Sequence, residues 1–180
     1  MPRPAGKTFA REVPGLSTLR EKPRVGLGPH LRPEFFISEL KGRTKEDVLE
    51  ELVGCLAASG KTRAPEAVRA ALRQREALGS TGIGKGIAVP HARSTVVSER
   101  VVIVARSRRG VDFDSVDGVP AHLCFLIVAP PLERDAIYLQ LLARIVRGVR
   151  LARTRQRLLD APDFEAVRSI LLRASDDEPD

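Results

Sequence analysis

An α/β layer structure, with helices towards both ends of the chain and buried strands between them, is predicted from three observations. Apolar residues recur at helical spacing over 44–58 and 65–78. Short runs rich in Val and Ile follow over 87–89, 101–105 and 123–128. Helical spacing then returns over 132–149 and after Asp163. Strands covered by helices on both faces lose the alternation of a half-exposed sheet, so the continuous apolar runs point to a central sheet.

Taken in order, residues 1–33 hold Pro2, Pro4, Pro14, Pro23, Pro29 and Pro33 with glycines between them. No periodic pattern survives these interruptions, and a flexible basic arm is expected, with His30 in it. Thr44 with Asp47 three residues on forms a capping-box start for a first helix bearing Val48, Leu49, Leu52, Val53 and Leu56 and running to about Ala58. Pro65 in the first turn and Gly79 just past the end bracket a second helix with Val68, Ala71, Leu72 and Leu78 as its inner face. The helix over 132–149 sets Ile137, Leu141, Leu142, Ile145 and Val149 on one side and Gln140, Arg144 and Arg147 on another. Asp163 caps a last helix carrying Val167, Ile170 and Leu171. One domain over 34–175, followed by a solvated acidic tail at 176–180, fits the length of 180 residues.

Composition narrows the function classes. Aromatics are 4% and Trp is absent, so the core must be aliphatic. The net charge of +7 would suit a polyanion partner, but it is spread along the chain: seven Lys or Arg lie in residues 1–33 against Glu12 and Glu21, and four acids close the chain. Nucleic-acid binding as the main role is therefore disfavoured. Cys55 and Cys124 each sit in an apolar run, as small hydrophobes do, and neither a disulfide framework nor a metal-ligand spacing is present. No apolar run reaches the length of a membrane span, and the cytoplasm is the expected location. No cofactor is expected.

The chemistry concentrates in Gly79-Ser80-Thr81-Gly82-Ile83-Gly84-Lys85-Gly86, which leads into Ile87-Ala88-Val89-Pro90-His91-Ala92-Arg93. Four glycines in eight residues allow backbone amides to turn towards an anion, so Ser80, Thr81, Gly82, Gly84 and Gly86 are expected to form a phosphoryl-binding loop. The match to a nucleotide-binding P-loop fails at its eighth position, where Gly86 replaces the required Ser or Thr, and the order helix–loop–strand is reversed. What remains is His91, after a strand and a proline at the mouth of the loop. A neutral imidazole attacks phosphorus near pH 7 and leaves readily when the group moves on.

The string Arg75-Glu76-Ala77-Leu78 through Arg93, together with Val111-Asp112-Phe113-Asp114-Ser115-Val116-Asp117-Gly118 and the following strand to Pro130, resembles the signature of the IIA domains of the mannitol and fructose class of the bacterial phosphotransferase system, nitrogen-regulatory relatives included. The resemblance spans about Glu34 to Ala174. It implies a mixed β-sheet sandwiched by helices, a phosphocarrier whose loop histidine, His91, takes a phosphoryl group from an HPr-like phosphohistidine carrier, and regulated target proteins as further partners. It also implies an arginine at the phosphoryl group, which Arg75 matches, with Arg93 a weaker candidate of the same kind.

One departure stands out. Where the family has a second histidine in a His-Leu-Gln setting, this chain reads Tyr138-Leu139-Gln140. Tyrosine can donate a hydrogen bond to a phosphoryl oxygen but carries no positive charge at neutral pH. His122 leads into a strand, where an edge or satisfied role is expected. The net positive charge would also steer this chain poorly to a basic donor face. Two readings follow: a phosphocarrier using His91, Arg75 and Tyr138, expected to be of nitrogen-regulatory character because no sugar-transporting segment or companion domain is fused to it, or a regulatory binding module of the same fold that transfers little or no phosphoryl and uses its basic arm on a protein or polyanion.

Overall fold

The computed structural model describes residues 26–131 and 135–176. Among the described residues, six strands form one mixed sheet: β1 (Phe36–Ile37), β2 (Gly82–Gly84), β3 (Ile87–Ala88), β4 (His91–Arg93), β5 (Val101–Val111) and β6 (Ala121–Ala129). The order is β1-β5-β6-β3-β2, with β4 also on β6. The pairs β5–β6 and β2–β3 are antiparallel, whereas β1–β5, β3–β6 and β4–β6 are parallel. Among the described residues, no helix is long and apolar enough to cross a membrane.

Helices cover both faces. On one side α1 (Lys45–Ala58) and α2 (Pro65–Ala77) pack Leu52, Leu56, Val68 and Leu72 against Ile103, Ala105, Cys124 and Leu126. On the other, α3 (Asp135–Gly148), α4 (Ala152–Asp160) and α5 (Phe164–Asp176) pack Leu141, Ile145, Leu158 and Leu171 against Val102, Val104, Phe125 and Ile127. Successive residues of β5 and β6 therefore serve opposite cores, which is why both strands read as unbroken apolar runs.

The expected caps are formed. The Thr44 side chain accepts from the Asp47 amide at 3.1 Å and Asp47 Oδ2 accepts from the Thr44 amide at 3.0 Å. Pro65 is at the head of α2, and Asp163 Oδ1 accepts from the Ala166 amide at 2.9 Å ahead of α5. Cys55 and Cys124 are free thiols, and burial pushes both upward in pKa.

Four features differ from the sequence reading. The packed domain starts before residue 34: Leu27 and Leu31 are buried against the α3–α5 layer, and His30 sits in a short 3-10 turn (Gly28–His30), its Nε2 3.0 Å from Arg100 Nη1. Two leucines four apart anchor a segment whose prolines hide any period. The rest of the expected arm, residues 1–25, and residues 177–180 of the expected tail lie outside the described residues. Leu78 is not on the inner face of α2 but is the helix C-cap and 83% exposed, because six residues on from Leu72 the helical turn carries it off the buried Val68–Leu72 face to the cleft side shared with Ala71 and Arg75. β5 continues to Val111 past its apolar half, through a register shift between Arg106 and Val111 that includes Gly110 at φ +79°. Finally, α4 has no counterpart in the sequence reading, since only Thr154 and Leu158 of its nine residues are buried.

Candidate functional site

His91 does not lie in a loop; it opens strand β4. The partners of β3 and β4 on β6 run Ile87↔Leu123, Ala88↔Cys124, His91↔Ile127 and Ala92↔Val128, a single uninterrupted register. Pro90 lacks an amide hydrogen and breaks the strand assignment, while its carbonyl still accepts from the Ile127 amide at 3.0 Å. The histidine backbone is thus fixed by the central sheet.

The ring is fixed at both nitrogens. Nδ1 lies 2.7 Å from the Val89 carbonyl oxygen, which can only accept, so Nδ1 carries the proton. Nε2 then has the lone pair, and it accepts from Arg75 Nε at 3.0 Å. Burial holds the His91 pKa below its ordinary value, with the Arg75 charge adding to this and the Val89 hydrogen bond opposing it. The resting ring is neutral near pH 7, with its nucleophilic nitrogen facing a guanidinium.

Arg75 comes from the last turn of α2, where its Nη1 also donates to the Gly79 carbonyl at 2.9 Å. Together with Gln74, Leu78, Arg93 and Tyr138 it borders a cleft of about 410 Å³ that contains His91. The Tyr138 ring, 7% exposed, tilts towards His91 with 6.1 Å between ring centroids. Arg93 stacks its guanidinium over the same tyrosine at 5.1 Å and donates Nη1 to the Pro131 carbonyl at 3.1 Å. Burial pushes the Tyr138 phenol up to about 12, so it stays a donor throughout the neutral range. The structure therefore brings His91, Arg75, Arg93 and Tyr138 together from α2, β4 and α3.

The glycine-rich segment is placed differently. It folds into the β2–β3 hairpin, with Lys85 at φ 56° and Gly86 at φ +77° making the tight reversal. None of Ser80, Thr81, Gly82, Gly84 and Gly86 borders the His91 cleft. The Thr81 amide donates to Glu76 Oε1 at 2.9 Å, the Gly82 amide to Ser80 Oγ at 3.0 Å, and the Lys85 amide to Asp117 Oδ2 at 2.7 Å. A Cβ on Gly82 would come within 2.8 Å of the Phe113 carbonyl, so glycine is needed there for close approach to the 111–118 segment. The segment is braced against residues 111–118, with the amides of Thr81, Gly82 and Lys85 engaged within the chain.

Sequence reasoning missed Glu76. Its carboxylate takes the Thr81 amide and the Thr81 hydroxyl (2.7 Å) and meets Lys45 Nζ at 3.2 Å, tying α2 and α1 to the start of the hairpin. Its place beside Arg75, five residues before Thr81, was the available signal. His122 is a structural residue: Nδ1 lies 2.9 Å from the Ser107 carbonyl.

Comparison with known proteins agrees with this architecture. Residues 29–174 match the family described as phosphoenolpyruvate-dependent sugar phosphotransferase system, EIIA 2. A nitrogen regulatory protein of Bradyrhizobium diazoefficiens is 37% identical over 77% of this chain and 90% of its own length. A fructose-specific EIIA component of Haloferax volcanii is 36% identical over 71% of this chain and 82% of its own. A fructose-specific EIIABC component of Bacillus subtilis is also 36% identical, but the match takes in only 21% of that longer protein. The crystal structure of the nitrogen regulatory protein IIA-Ntr from Neisseria meningitidis superposes with a TM-score of 0.75 at 29% identity, over 81% of this chain and 98% of that one. With the family match extending over most of its length and the fold shared, this chain belongs to the type 2 EIIA family of the phosphotransferase system.

Proposed function

We propose that the protein is a phosphocarrier of nitrogen-regulatory type that accepts a phosphoryl group on His91 Nε2 from an HPr-like phosphohistidine carrier in the cytoplasm. The observation that carries this reading is the hydrogen-bonded ring: with Nδ1–H held on the Val89 carbonyl, only Nε2 can attack, and it already faces Arg75. In the transfer, the Nε2 lone pair forms the new N–P bond while the donor N–P bond breaks and its electron pair returns to the donor ring. Arg75 gives up its contact with Nε2 and turns to the phosphoryl oxygens, joined by Arg93 and the Tyr138 hydroxyl. Exposed Leu78 at the cleft edge offers the docking carrier an apolar contact. The regulatory assignment is favoured by the nitrogen regulatory proteins of Bradyrhizobium diazoefficiens and Pseudomonas aeruginosa, which this chain matches over 90% and 92% of their lengths.

Intact-mass spectrometry after incubation with phosphoenolpyruvate and the host's phosphotransferase donor proteins tests this. An acid-labile phosphoryl adduct is expected on the wild type and none on His91→Ala; label surviving on the variant would move the acceptor elsewhere. The second reading, a binding module of the same fold with little or no transfer, is favoured by one observation, buried Tyr138 where the family has histidine. It gains if no host donor labels the wild type.

A further inference from the structure

A second recess shares no residue with the His91 cleft. It lies between the end of α3, the start of α4 and the last turns of α5, has a volume of about 270 Å³, and is lined by Arg147, Arg150, Arg153, Thr154, Arg157 and Arg173. Tyr138 and Arg147 are nine residues apart on α3, about 13 Å along its axis, so the two sites are separated by most of a helix. None of the five guanidinium groups has a carboxylate within ion-pair distance among the described residues. Arg69 and Arg73 on α2, by contrast, are paired with Glu50 and Glu46 of α1. Five like charges around one small volume repel each other, and a bound anion relieves that repulsion.

Two further groups face the same demand. Helix α4 starts at the recess with Leu151 as its N-cap, so no side chain caps its first amides. Thr154, in its first turn, is only 6% exposed yet lines the recess, and its hydroxyl has no hydrogen-bond partner among the described residues. The Thr154 oxygen keeps surface open to the recess, so it is within reach of whatever binds there.

We propose that this recess binds an oligophosphate, two or more linked phosphate groups on a small molecule, through the five arginines, the α4 amino end and the Thr154 hydroxyl. Guanidinium forks match phosphate oxygens two at a time, and a single phosphate occupies too few of them to balance the five charges. A nucleic-acid backbone spaces its phosphates along a line and calls for a basic stripe, whereas these arginines converge on a volume just below the roughly 300–1,000 Å³ of ordinary small-ligand sites. The site is separate from the His91 cleft.

Titration calorimetry of the full chain with tripolyphosphate at about 0.15 M salt tests it, with orthophosphate and a short single-stranded oligoribonucleotide alongside. One-to-one binding of tripolyphosphate is expected, about tenfold or more tighter than orthophosphate. Arg153→Gln combined with Arg157→Gln, both at exposed positions, should weaken it about tenfold or more, Thr154→Val about threefold, and His91→Ala not at all. Equal affinity for orthophosphate, an unchanged affinity in the double glutamine variant, or an oligoribonucleotide that binds more tightly than tripolyphosphate would each overturn the proposal. Should Thr154→Val fail to fold, the double glutamine variant still decides.

Discussion

Replacing Arg75 by Ala removes two contacts of different kinds, and their magnitudes separate a structural role from a chemical one. The donation from Nη1 to the Gly79 carbonyl is a side-chain bond at a helix C-terminus, and its loss costs about 1 kcal/mol, or about 2–4 °C in midpoint for a chain of this size. The contact from Nε to His91 Nε2 is replaced during transfer by a charge-assisted bond to a phosphoryl oxygen, worth about 1.5–3 kcal/mol, which corresponds to a rate loss of about 10- to 150-fold. Rapid-quench single-turnover phosphorylation by a phosphorylated donor measures it. The pH profile adds a second readout. Burial and the Arg75 charge both hold the His91 pKa below 6.5, so wild-type His91 keeps its neutral, reactive form into mildly acid solution. Without Arg75 the pKa rises, and the acid limb of the profile should move to higher pH. A rate within about threefold of wild type, with the acid limb unmoved, would refute a role for Arg75 in transfer whatever happened to the melting midpoint.

Other outcomes are equally open to measurement. Tyr138→Phe keeps the ring against His91 and Arg93 but removes the hydroxyl, and should slow phosphorylation by about 2- to 12-fold in the same quench assay, the worth of one neutral hydrogen bond. Arg106 is 6% exposed, stacks on Phe36, and donates to the carbonyls of Ser38, Leu158, Leu159 and Ala161; Arg106→Ala should cost about 3 kcal/mol or more in denaturant unfolding, because those carbonyls lose their partner. Lysine there should recover less than half, having no fork. Deleting residues 1–33 removes Leu27 and Leu31 from the core and should cost about 3–6 kcal/mol relative to deleting residues 1–25, read by the same unfolding curves.

Much of the fold could be read because local chemistry and global packing agree at the same residues. Thr44 and Asp47 name the start of α1, Pro65 the start of α2, and the Val- and Ile-rich runs of β5 and β6 announce a sheet covered on both faces. Helix α4 stayed hidden because its position is set from outside: Arg106, far away in sequence, binds the carbonyls at its end, while five of its nine residues are exposed. The meeting of His91 and Arg75 was legible through the motif around them. The glycine-rich loop misled because glycine serves both anion nests and close backbone packing; only its neighbours, Phe113 and Asp117, reveal which use is made here. Arg93 and Tyr138 could be named from the chain, but their stacking depends on how β4 and α3 meet.

The placement of His91 on a sheet strand, in register with Ile127, bears on how any change at its ring would be sensed. A residue in a mobile loop can convert a new charge into a new shape. Here the backbone is held by β6, so a dianionic group on Nε2 would alter the field over the cleft while leaving its contour nearly the same. A partner that distinguishes the two forms must then do so by charge, and its preference should fade with rising ionic strength rather than with mutations that stiffen the fold.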